Sequence, residues 1–109
     1  MRSGRAGAGQ LLARCEELRA LFVASDLMAA GAIGALREAG RRIPGDVAVA
    51  GFDDSAAATM VEPALTTMRN PIEQTALEAL QILDDHMAGR VSRPVHVVLS
   101  SELVIRASA

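Results

Sequence analysis

The stretch "LFVASDLMAAGAIGALREAGRRIPGDVAVAGF", residues 21–52, decides the fold. It begins and ends on short runs of consecutive apolar residues, "LFVAS" (21–25) and "VAVAGF" (47–52). Strands buried on both faces, as in a parallel sheet, read this way, whereas a sheet with one wet face alternates. The segment between them is helical in pattern. Ser25 or Asp26 offers an N-cap, and Gly40 is the natural residue just past the C-terminus. Arg37, Arg41 and Arg42 lie in or just past the last turn, where the negative end of the helix favours them. "IPGD" then makes a Pro-Gly turn. Strand, helix, turn and strand together have the length of one βαβ unit. Ala29, Ala30, Gly31, Ala32, Gly34 and Ala35 make the helix slender enough to lie close to a sheet or to another helix.

Upstream of this unit, residues 1–9 are rich in Gly and Arg and read as a flexible N-terminus. A helix is expected at about 8–20, with Leu11, Leu12, Cys15 and Leu18 as its apolar stripe. Downstream come a short helix at 56–60, a break at Pro63 and an extended "LTTMR". In "NPIEQTALEALQILDDHMAG" (70–89), Asn70 is a candidate N-cap, Pro71 the favoured first residue and Glu73 the capping-box partner. Ile72, Ala76, Ala79, Leu80, Leu83 and Met87 form the apolar stripe of this helix, and Gly89 ends it. The closing "VHVVLSSELVIRASA" reads as one or two strands. These elements predict an α/β fold: a parallel sheet flanked by helices.

Composition narrows the function. Half of the 109 residues are hydrophobic, yet there are only two Phe and no Tyr or Trp. Helices packed closely on a buried sheet suit such a core. All eleven positive charges are Arg, scattered apart from Arg41–Arg42, and the formal net charge is −2. That is not the electrostatic footprint of a nucleic-acid binder, and no aromatic platform exists for bases to stack on. Cys15 is the only cysteine, so no internal disulfide is possible. It reads as a buried, inert thiol. No apolar run has membrane-spanning length and no signal-peptide core is present, so the chain reads as soluble and cytoplasmic.

Open parallel sheets bind ligands at the carboxyl ends of their strands. Ser25–Asp26 and Asp53–Asp54 both lie at such ends. As an acid–base pair, adjacent residues on an extended segment point in opposite directions and do not share a proton. As a metal site they lack neighbours, since His86 and His96 are distant in sequence. Asp54 or Ser55 is expected to start the helix at 56–60, leaving the other Asp to accept hydrogen bonds from hydroxyls. From the residues alone, capping outranks ligand contact. One of Ser25 and Asp26 is likewise expected to cap its helix, the other facing the same crevice as Asp53. No nucleophile–base–orienter set can be named, so the chain does not read as an enzyme, and nothing calls for a metal or cofactor.

The blocks "LFVASDLMAAGAIGALREAGRRIPGDVAVAGFDDS", "PALTTMRNP" and "SSELVIRASA" resemble the C-terminal part of LacI/GalR-family transcriptional regulators, in order and spacing. The resemblance implies a partial type I periplasmic-binding-protein-like domain, with residues 10–109 as the C-terminal portion of an effector-binding and dimerisation domain. The helix-turn-helix and first lobe of such regulators have no counterpart in these 109 residues. It implies a small, sugar-like effector, a homodimer, and DNA binding only through a domain outside this chain. By resemblance Asp53 contacts the effector, with Ser25 and Asp26 beside it. Asn70 matches a crossover position that also touches ligand, although its cap reading ranks first. Met28, Gly31, Ala32, Thr59, Met60 and Val61 resemble the dimer surface. The helix at 71–88 matches one that packs on the first lobe; left bare, its stripe invites self-association. The alternative is a truncated remnant that only dimerises, or a stand-alone sugar-binding fragment.

Overall fold

A computed structural model describes all residues 1–109. The elements, in order, are α1 (Arg2–Arg14), β1 (Ala20–Phe22), α2 (Asp26–Glu38), β2 (Ala48–Asp53), α3 (Ala56–Met60), β3 (Thr66–Arg69), α4 (Ile72–Met87) and β4 (Glu102–Val104). The chain divides into two compact units: Met1–Arg69 with Glu102–Ala109, and Asn70–Ser101.

In the first unit the strands form one sheet in the order β1-β2-β3-β4. The first two pairings are parallel and the last antiparallel, so the expected parallel sheet carries one reversed edge strand. Ala29, Ala32, Ile33 and Leu36 of α2 join Val47, Val49, Ala58 and Leu65 in a buried core. α2 ends as its sequence dictates. Gly40 has φ +74, and the Arg41 N–H reaches back to the Leu36 carbonyl, satisfying the last turn. The chain's tail is part of this core. Ser108 is fully buried between β2 and β3; its Oγ donates to the Val49 carbonyl at 2.6 Å and accepts from the Thr66 N–H at 2.8 Å. No buried side-chain polar atom lacks a partner.

Two expectations change. The first helix runs over residues 2–14, not about 8–20, and it takes in the segment expected to be flexible. Its buried residues are Gly4 and Ala8, not Leu11 or Cys15. α1 lies so close to α2 that a Cβ on Gly4 would sit 1.9 Å from the Met28 carbonyl oxygen, and one on Gly31 2.1 Å from that of Met1. Small residues therefore face the crossing, while Leu11 is exposed. Second, Cys15 is exposed just past the end of α1 rather than buried. The closing segment, expected as one or two strands, makes one, at Glu102–Val104.

The second unit holds α4 and the segment that follows it. Its helix ends on Gly89 at φ +69, with the Arg90 N–H bonded to the Asp85 carbonyl. The N-terminus differs from expectation: Pro71 occupies the cap position, and no side chain caps the helix. Asn70 contributes only its carbonyl, to the Ile72 N–H. Pro71 lies outside the first helical turn, which shifts the capping box out of register. No helix of the protein is long and apolar enough to cross a membrane.

Candidate functional site

The candidate residues of the first unit collect at the carboxyl ends of its parallel strands. β1 ends at Phe22 and leads through Val23 and Ala24 to Ser25, the N-cap of α2. Its Oγ accepts from the Met28 N–H at 3.4 Å. The hydroxyl is half-buried and keeps its own proton free to donate.

Asp26 departs from its expected place in the crevice. It is the first residue of α2 and is fully buried. One carboxylate oxygen accepts from the Thr67 hydroxyl and the other from the Ser55 N–H, each at 2.6 Å. Asp26 therefore ties the start of α2 to β3 and to the turn after β2, and it has no free oxygen facing outward. The seat is tight: a Cβ on Gly51 would lie 2.6 Å from its Oδ1. Gly51 is small because the Asp26 carboxylate passes over it.

Asp53 and Asp54 part company, and of the two residues expected to start α3 it is Ser55 that stands there. Ser55 occupies the N-cap position of α3, with no side-chain cap bond. Asp54 does not cap. Its carboxylate, 10% exposed, takes the Arg106 guanidinium on one oxygen at 2.6 Å and that of Arg69 on the other at 2.8 Å. Arg106 beside it, and Arg69 after that, hold the Asp54 carboxyl below the usual carboxylate range. Arg69 also pairs with Glu102 at 2.9 Å. Asp53 makes none of these bonds. Of the three carboxylates Asp26, Asp53 and Asp54, it alone has no side-chain hydrogen bond or ion pair in the chain.

The backbone at this point is strained. Asp53 has φ 111 and Asp54 φ 56, both in the left-handed half of conformational space. Non-glycine residues there cost roughly 1–3 kcal/mol each and persist only where surrounding bonds hold them. Here the holding bonds are those of Asp54 to its two arginines and of Ser55 to Asp26. The result is a half-buried, unpaired carboxylate at the end of β2, while Ser25 follows the end of the neighbouring strand β1. A carboxylate accepts hydrogen bonds and a serine hydroxyl both donates and accepts them, which is the chemistry a neutral, hydroxyl-bearing molecule requires. No three His, Cys, Asp or Glu side chains gather to bind a metal.

The arginine cluster was missed in the sequence, although Arg69 and Arg106 stand among otherwise apolar or hydroxylic strand residues and so invited the question of their partners. Asn70 belongs to the second unit. The residues matched to a dimer surface separate into two groups. Gly31 and Ala32 are buried within the chain, where α1 and the core cover them, so neither reaches a partner. Thr59 and Met60 are exposed, Met60 by 83%, while Met28 and Val61 are half-buried.

The chain is similar to proteins of known kind. A family model of the periplasmic binding protein-like domain matches residues 2–109. The HTH-type transcriptional regulator CelR of Thermobifida fusca is 42% identical over 106 residues, covering 97% of this chain and 31% of CelR. The lactose operon repressor of Rhizobium radiobacter is 42% identical over 90 residues, covering 83% of this chain and 79% of that one. Among solved structures, a CelR–cellobiose complex superposes with a TM-score of 0.95 at 42% identity, covering 99% of this chain and 33% of that one. The chain thus spans about a third of the length of CelR.

Proposed function

The chain belongs to the periplasmic binding protein-like domain family, in the form carried by LacI/GalR-type transcriptional regulators, and from that premise we propose that it is the C-terminal portion of a sugar-sensing effector domain. Asp53 is its principal effector contact, accepting hydrogen bonds from ligand hydroxyls, with Ser25 beside it. Asn70, at the crossing into the second unit, adds a further polar contact. The protein acts in the cytoplasm as a non-enzymatic sensor. It forms a homodimer over a surface that includes Met28, Thr59, Met60 and Val61, and it reaches DNA through a helix-turn-helix domain outside these residues.

One observation carries the reading: Asp53 is left without an internal partner on a strained turn, while its neighbours Asp26 and Asp54 are fully engaged. Strain and an unspent carboxylate both cost stability, and a ligand that uses the carboxylate accounts for their being kept. The cellobiose seen with CelR makes a neutral disaccharide the first probe. Calorimetric titration of cellobiose into wild-type protein and Asp53→Ala tests it. Losing a hydrogen bond from a charged group costs about 1.5–3 kcal/mol, so affinity is expected to fall about 10- to 100-fold. Equal affinity in the two proteins would remove Asp53 from the site.

A further inference from the structure

The first unit releases the chain after Arg69 and takes it back at Glu102. These two residues are cross-strand partners in the antiparallel β3–β4 pairing. On its other side Arg69 is the register partner of Asp53, in the parallel β2–β3 pairing. Its side chain follows the same geometry. Nη1 binds the Glu102 carboxylate at 2.9 Å, and Nε binds Asp54 at 2.8 Å. One guanidinium thus grips the strained turn that carries Asp53 and the strand on which the chain returns. Arg106 holds the other oxygen of Asp54 and anchors itself on the Leu65 carbonyl at 2.9 Å.

We propose that Arg69 is a positioning residue for the effector site, clasping the Asp53–Asp54 turn to the two points where the chain leaves and re-enters the first unit. An isolated surface ion pair contributes little. This one differs because Asp54 is nearly buried and sits at φ 56, next to a residue at φ 111. Without Arg69, the turn is held only by Arg106 on Asp54 and by the Ser55 N–H on Asp26, and it loosens toward ordinary backbone, carrying Asp53 out of position. In the other direction, a ligand that pulls on Asp53 loads the Asp54–Arg69–Glu102 chain within the first unit. A planar guanidinium serves two carboxylates at fixed angles, which a lysine ammonium does not.

The inference rests on Asp53 being an effector contact, and its test separates the two claims. Amide hydrogen exchange on the full chain needs no ligand. In Arg69→Gln the Ser55 N–H, bonded to Asp26, is expected to exchange at least tenfold faster. The Val49 and Leu65 N–H groups, bonded to Ser108 and Ala58, should change less than twofold. An unchanged Ser55 amide, or equal acceleration at all three, overturns the proposal. Should Arg69→Gln not fold, Glu102→Gln cuts only the outer arm of the clasp, and a rise confined to Ser55 is expected there too; its absence again overturns the proposal. Calorimetry with cellobiose on the folded variant forms the second arm, with affinity expected to fall at least fivefold in Arg69→Gln. If Asp53→Ala abolishes binding while Arg69→Gln preserves it, the positioning role fails and the effector contact stands. If wild-type protein does not bind cellobiose, that sugar is wrong, and the exchange data alone decide the role of Arg69.

Discussion

Four residues at the carboxyl end of the sheet share two kinds of duty. Asp26 and Asp54 are structural: one closes the joint between α2, β3 and the β2–α3 turn, the other neutralises two arginines. The Asp53 carboxylate has no side-chain partner in the chain, and Ser25 accepts a single bond, from the Met28 N–H; the proposed function gives both to the effector. The division has a consequence for pH. The Asp54 carboxyl, bonded first by Arg106 and then by Arg69, is held below its unfolded-state value. A group depressed on folding stabilises the protein above its unfolded pKa of about 3.9, and that contribution disappears as pH falls through the lower folded value. Thermal unfolding from pH 7 down to pH 3 should therefore show a steep loss of Tm below about pH 4 in wild type. In Asp54→Asn, Tm should be lower at pH 7 and the acid slope shallower. Parallel slopes would mean that the Asp54 pairs do not persist in solution.

At the scale of elements, the βαβ unit was legible because its signals are strong and local. Consecutive apolar residues mark β2, Ser25 caps α2, and Gly40 stops it where the sequence places the stop. α1 was not legible, and the reason is physical. Helix reading follows a stripe of large apolar residues, but two helices in close contact bury small ones, and α1 presents Gly4 and Ala8 instead. Capping failed as a signal at α4 for a different reason: a Pro fits both the cap and the first helical turn, and a one-residue shift leaves Asn70 with only its carbonyl in use. The place of Asp53 at the end of β2 was legible, whereas the burial of Asp26 depends on Thr67 and Ser55, distant residues that only the folded sheet brings together. The α1–α2 crossing supplies a contrast. Gly4→Ala puts a Cβ 1.9 Å from backbone oxygen and should cost about 2–3 kcal/mol in denaturant unfolding. Gly7→Ala, with nothing within 4 Å, should gain about 0.5–1 kcal/mol from helix propensity. Equal effects at the two positions would displace α1 from α2.

The buried core lies entirely in the first unit, and the second unit, Asn70–Ser101, has no buried residue. The free carboxylate and hydroxyl stand at the strand ends of the first, which also bears both chain crossings. The central claim is that these strand ends receive a neutral sugar. Titrating cellobiose into ¹⁵N-labelled protein and following every amide by NMR locates binding even when it is weak. The largest shifts are expected at Ala24, Ser25, Asp53 and Ser55, with smaller ones at Arg69 and Glu102 and none along α1. Saturable shifts centred elsewhere, with Ser25 and Asp53 unmoved, would contradict it.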